Sequence, residues 1–74
     1  MPKPTRDELN VYADENRLIA AYHEASAALA ENTAREAAAG ILTETAEYQR
    51  LNQAVIDAEK QLPERFKKAA RRGL

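Results

Sequence analysis

His23 and Ser26 are the only histidine and the only serine in the chain, and their spacing of three residues lets them meet on one helix face. A histidine-activated serine also needs a group that orients the imidazole and donors that hold an oxyanion. Neither an orienting group at helical spacing nor a glycine-rich loop is present. A helical metal site would need a ligand four residues from His23, where Ile19 and Ala27 stand. We therefore expect neither catalysis nor metal binding at His23.

Carboxylates occur in close pairs, a pattern that general acid–base catalysis can use. The pairs are Asp7 with Glu8, Asp14 with Glu15, Glu44 with Glu47, and Asp57 with Glu59. A catalytic pair needs a concave and partly dry site, which two packed helices do not provide. We expect these acids to be solvated, to cap helices or to pair with basic side chains. The sequence thus predicts a protein without enzymatic activity, cofactor or metal.

Charge is segregated along the chain. Residues 1–62 carry six basic and eleven acidic side chains, whereas residues 63–74 carry five basic and one acidic. The basic residues of this tail are Arg65, Lys67, Lys68, Arg71 and Arg72. They could contact nucleic-acid phosphates or an acidic partner. The other interpretation, which we favour, is that the tail docks on the acidic first helix of the same or a neighbouring chain.

Gly40 divides the chain into two stretches that both favour helix. Residues 5–39 contain neither glycine nor proline, and residues 45–62 repeat this pattern. A single helix breaker between two such stretches predicts an all-α helical hairpin, with Gly40 at positive φ. A capping box from Thr5 to Glu8 begins the first helix, and Thr43 or Thr45 caps the second.

The predicted organisation is one small domain, residues 1–74. It comprises a frayed start (1–4), helix 1 (5–39), a turn (40–44), helix 2 (45–62) and the basic tail (63–74). Pro63 should end or kink helix 2, and a short third helix could begin there. The apolar turn residues Ile41 and Leu42 are expected to cover the end of the helix pair.

Each helix carries an apolar stripe in steps of three and four residues, the spacing of packed helices. The stripes contain Val11, Leu18, Tyr22, Ala25 and Leu29 in helix 1, and Tyr48, Leu51, Val55, Ala58 and Leu62 in helix 2. Folding at residues 40–44 pairs residues whose numbers sum to about 84. Glu15 interrupts the first stripe, so a break near Asp14 is an alternative to one continuous helix.

The core of such a hairpin is thin. Alanine supplies 16 of the residues in the 45% hydrophobic fraction, and the few large side chains barely offset the entropy of ordering the chain. We therefore expect association, with a dimeric antiparallel four-helix bundle favoured. The interface candidates lie off the stripes, at the start of helix 1 where helix 2 does not reach, or after helix 2 in the sequence. They are Leu9, Val11, Tyr12, Ile19, Ile56 and Phe66.

The leading functional prediction is a non-enzymatic adaptor or accessory protein that binds a protein partner through an apolar helix face. The alternative is a nucleic-acid-associated protein that uses the basic tail. Cysteine is absent, and no apolar run approaches the ~18 residues of a membrane span. We expect a cytoplasmic protein without membrane contact. Arginine outnumbers lysine and alanine is abundant, which favours a small bacterial or phage protein.

Overall fold

The computed structural model describes residues 2–71, with side chains described as far as Lys68. This part of the chain forms three helices, α1 (Arg6–Ala38), α2 (Ala46–Lys60) and α3 (Glu64–Arg71), and contains no strand. The fold is all-α, and α1 and α2 pack together as a helical hairpin. α1 is continuous through Asp14 and Glu15, so the break considered near Asp14 does not occur.

Threonine caps begin both long helices. The Thr5 hydroxyl accepts a hydrogen bond from the Glu8 amide at 3.1 Å, and Thr45 accepts one from the Tyr48 amide at 3.0 Å. Of the two threonines that could cap α2, the structure uses Thr45. Each cap satisfies a backbone donor that the helix itself leaves unpaired, and acidic side chains in both first turns complement the helix dipole.

Gly40 ends α1 with a φ of 78°, as the sequence predicts. The Gly40 amide donates to the Ala37 carbonyl at 3.1 Å, and the Ile41 amide donates to the Glu36 carbonyl at 2.9 Å. These two bonds form a Schellman motif. The prediction for the turn side chains was wrong, because Leu42 is 95% exposed and Ile41 is 42% exposed. Both side chains line a groove with Thr33 and Tyr48, and neither is covered by the helices.

Pro63 separates α2 from α3. The Leu62 amide bonds to the Glu59 carbonyl at 3.1 Å, and the Pro63 carbonyl accepts from the Phe66 and Lys67 amides. Proline has no amide hydrogen and clashes with the preceding turn, so α2 must end before it. Its fixed φ is nevertheless suited to begin a helix. A single turn of irregular backbone therefore links two helices.

The hairpin is a thin rod of 57 × 21 × 17 Å. Leu62 is the one large apolar side chain that is buried among the described residues. The other large residues of the two stripes from Leu18 onward are half-buried. No helix in the described part of the chain is both long and apolar enough to cross a membrane.

Candidate association surface

Two polar contacts join α1 to the second half of the chain. The Thr45 hydroxyl donates to Glu36 Oε2 at 2.5 Å, and Arg65 Nη2 lies 3.0 Å from Glu15 Oε2. The residue numbers of these pairs sum to 81 and 80, whereas the expected sum is 84. The observed pairing of the two halves is therefore shifted by about one helical turn. This register sets Leu29 opposite Leu51, because the side chains of both helices repeat in steps of three and four.

Polar residues extend the stripe of α1 beyond its apolar part. Glu15 precedes Leu18 by three residues, and Asn32 and Glu36 follow Leu29 in steps of three and four. Glu15 and Glu36 are half-buried and Asn32 is buried, so all three face α2 or its extension. Asn32 and Glu36 were not predicted to belong to the stripe because only apolar residues were assigned to it. The uninterrupted spacing was the signal that could have identified them.

Asn32 is the buried polar residue of the hairpin. It is 3% exposed, and its Nδ2 has no hydrogen-bond partner among the described residues. A buried amide without a partner has lost its hydrogen bonds to water and gained none in return. The hairpin therefore contains a destabilising position near its turn.

Large apolar side chains remain exposed at both ends of the rod and along α2. Leu9, Val11 and Tyr12 are 48%, 58% and 64% exposed, because the first turns of α1 extend beyond α2. Ile56 is 38% exposed on the second long helix. Together with Leu42 at the turn, these side chains leave an unusual share of apolar surface in water for so small a chain.

Helical periodicity places part of this apolar surface on one side of the hairpin. In an antiparallel helix pair with heptad spacing, the residues that follow every second stripe position project to the same side of both helices. These residues are Tyr12, Ile19, Ser26 and Thr33 on α1 and Asn52 and Glu59 on α2. Ile56 lies four residues after Asn52 and three before Glu59, so it is on the same side. We call this side the isoleucine face.

The partial burial of side chains agrees with this assignment. Ile19 and Ser26 on α1, and Asn52 and Glu59 on α2, are half-buried although they lie outside the two stripes. A groove of about 210 Å³ near the turn is lined by Thr33, Ala37 and Tyr48 among others. The isoleucine face is therefore the more enclosed side of the hairpin.

The opposite side is polar and rich in alanine. Ala21, Ala28 and Ala54 project there by the same periodicity, as do Arg35 and Glu47. The Arg50 side chain donates to Glu47 at 3.1 and 2.5 Å and lowers the pKa of that carboxyl, with a smaller contribution from Arg35. On this side, Glu47 and Arg50 are therefore paired with each other.

A second groove lies where α1 extends beyond α2. Its volume is about 380 Å³, and it is lined by Asp7, Glu8, Val11, Tyr12, Glu15 and Arg65. Its lining combines the apolar side chains of Val11 and Tyr12 with three carboxylates. Arg65 closes one end of this groove through its ion pair with Glu15.

α3 carries the basic residues that the sequence singled out. Arg65 is paired with Glu15, and its guanidinium carbon lies 4.9 Å from the centre of the half-buried Phe66 ring. Lys67 Nζ lies 3.4 Å from Glu64 Oε1, and the Lys68 side chain is exposed. The side chain of Arg71 and the whole of Arg72 lie outside the described residues.

His23 lies beside Tyr22 on α1. Its ring contacts Tyr22 edge to face at 5.7 Å between ring centres, and its side chain is exposed. Within residues 2–71, no three His, Cys, Asp or Glu side chains are arranged to hold a metal ion. Comparison with family profiles, curated proteins and solved structures gives no significant match to this chain.

Proposed function

We propose that this protein is a non-enzymatic protein–protein interaction module that acts through apolar helix surface. The proposal rests mainly on the exposure of Leu9, Val11 and Tyr12, which lie on the part of α1 that extends beyond α2. The preferred assembly is a dimer of hairpins packed as an antiparallel four-helix bundle. In that assembly the isoleucine face is buried between the two copies.

The exposed area of the chain supports association. Its accessible surface is 5956 Å², whereas a compact monomer of its 8.2 kDa mass exposes about 4,500 Å². The excess of about 1,400 Å² exceeds the roughly 800 Å² that each partner buries in a standard interface. The radius of gyration, 16.2 Å, likewise exceeds the roughly 11 Å of a compact domain of this length.

Sedimentation velocity over a range of about 1–200 µM, a window for moderate affinities, tests the proposal directly. We expect a concentration-dependent shift from one to two chain masses. Tyr12→Lys and Ile56→Lys each place a charge on the isoleucine face and should shift the transition to higher concentration. Ala20→Lys is the matched control, because Ala20 is exposed on the side of α1 away from α2.

A monomer at every concentration would contradict self-association. An interaction module for another protein would still show loss of binding with Tyr12→Lys and retention with Ala20→Lys when assayed against a purified partner. If Ala20→Lys disrupts assembly as strongly as Ile56→Lys, the isoleucine face is not the interface. Circular dichroism of each variant separates loss of association from loss of helix.

Nucleic-acid binding by α3 is the alternative function, and the side-chain contacts favour it less. Arg65 and Lys67 are both paired with carboxylates of the same chain, which would compete with phosphates. A mobility-shift assay at two salt concentrations distinguishes the functions, because phosphate contacts weaken steeply with salt. A salt-sensitive shift that is lost in Arg65→Ala and Lys68→Ala variants would favour the alternative over our proposal.

A further inference from the structure

We infer that a second copy of this chain docks on the isoleucine face with its two-fold axis along the rod, so that the same ends of the two hairpins lie side by side. This inference rests on the proposed dimer and specifies its geometry. Each α1 then packs against the partner's α2 and α3. All neighbouring helices are antiparallel in this bundle.

Charge complementarity supports this orientation. Residues 6–15 carry one basic and four acidic side chains, a net charge of −3, and residues 64–71 carry a net charge of +3. Within one chain these segments are joined by the Glu15–Arg65 ion pair. With the axis along the rod, the acidic start of α1 in each copy also faces the partner's basic α3.

The groove at the start of α1 is suited to this contact. The groove combines the side chains of Val11 and Tyr12 with the carboxylates of Asp7, Glu8 and Glu15, so it favours a surface that carries basic groups. α3 offers such groups, because the Lys68 side chain is exposed and that of Arg65 stays 62% exposed although it is paired with Glu15. Lys67 also lines a groove of about 200 Å³ with Ile56, Glu59 and Lys60, which places basic groups beside the isoleucine face.

Reversing the partner would bring like charges together. A two-fold axis across the rod packs the start of each α1 against the partner's turn region. Residues 31–49 contain four acidic side chains and one basic, for a net charge of −3. Two segments of net charge −3 would then be adjacent, which disfavours the reversed dimer.

Distances between spin labels can distinguish the two orientations. Because the chain has no cysteine, Asn10→Cys and Ala34→Cys each introduce a unique labelling position, exposed and near opposite ends of α1. With the axis along the rod, both label pairs should be separated by less than about 30 Å, because the two α1 helices lie diagonally opposite each other in one bundle whose neighbouring helices are about 8–10 Å apart. Reversal about the middle of α1 adds about 36 Å of axial separation at either position, from the rise of 1.5 Å per residue.

The two label positions make the test decisive. A reversed dimer can bring at most one of the two pairs close together, so a long distance at either position would overturn the inference. Absence of any dipolar coupling in fully labelled protein, together with a monomer mass, would instead refute the proposed dimer. The two failures are therefore distinguishable.

Charge reversal gives opposite signs for the two orientations. Asp7→Lys with Glu8→Lys should raise the dimer Kd about tenfold at low salt, because the two new lysines lie opposite the partner's basic α3 and are repelled by it. Adding Lys67→Glu and Lys68→Glu in the same chain should restore the affinity. The control, Glu24→Lys with Asp57→Lys, makes the same net change at exposed positions outside these three charged segments. A lower Kd for the first variant would support the reversed dimer.

Discussion

Arg65 lies 3.0 Å from Glu15 across the hairpin, although Pro63 separates α3, the helix that carries the arginine, from α2. Glu15 occupies a stripe position of α1, three residues before Leu18, and its side chain is 23% exposed. The Arg65 side chain is 62% exposed. The pair therefore keeps α3 in the register set by α1 and α2, while most of the guanidinium remains in water.

A double-mutant cycle of Glu15→Ala and Arg65→Ala measures this contact. We expect a coupling free energy of about 0.5–1 kcal/mol, because one partner is largely exposed and solvent screens the attraction. The coupling should shrink as salt is raised. Urea unfolding followed by circular dichroism provides the four stabilities. A coupling indistinguishable from zero at low salt would mean that the ion pair does not hold α3 against α1.

Leu62 and Leu42 provide a matched pair of leucines in opposite environments. Leu62 is 5% exposed and Leu42 is 95% exposed. Leu62→Ala should lower the free energy of unfolding by about 2–4 kcal/mol, since it removes buried methyl groups and leaves a cavity. Leu42→Ala should change it by less than about 0.5 kcal/mol. Urea unfolding at one fixed protein concentration compares the two, and similar losses would mean that Leu62 is not the centre of the core.

The turn prediction isolates a backbone effect. A Cβ at Gly40 would meet no other atom within 4 Å, so Gly40→Ala should be penalised only by the positive φ. The expected loss is about 1 kcal/mol. Gly40→Asn should cost less, because asparagine tolerates this conformation. Thermal melts of the three proteins test the order glycine, asparagine, alanine. Equal stability of the alanine variant would show that Gly40 leaves the left-handed region at no cost.

The sequence was sufficient to predict the hairpin because its signals are local. Gly40, the threonine caps and the apolar spacing each specify backbone within a few residues, and Pro63 marks the third helix in the same way. The register between the helices is not local. It depends on the path of residues 39–45 and on polar residues such as Glu36, whose hydrogen bond to Thr45 is apparent only after folding. The exposure of Leu42 follows from the same turn geometry.

The candidate surface was predictable only in part. Leu9, Val11, Tyr12 and Ile56 could be named because they lie off the stripes or beyond α2. The sequence did not predict which of these residues share one side of the hairpin, since that depends on how the two helices are paired. The positions of Asn52 and Glu59 beside Ile56 acquire meaning only once α1 and α2 are antiparallel and in register.

Asn32 offers a test of whether the hairpin retains a costly buried amide. Leucine has the same branched arrangement of side-chain heavy atoms and continues the apolar stripe, so Asn32→Leu removes an unpartnered donor and adds apolar burial. The free energy of unfolding should rise by about 1–2 kcal/mol. Asn10→Leu is the control, because Asn10 is exposed and its replacement gains no burial. Destabilisation by Asn32→Leu would show that its amide forms a hydrogen bond in solution. A stabilised variant that assembles into mixed oligomers would instead show that Asn32 selects one pairing of helices, as buried asparagines do in coiled coils.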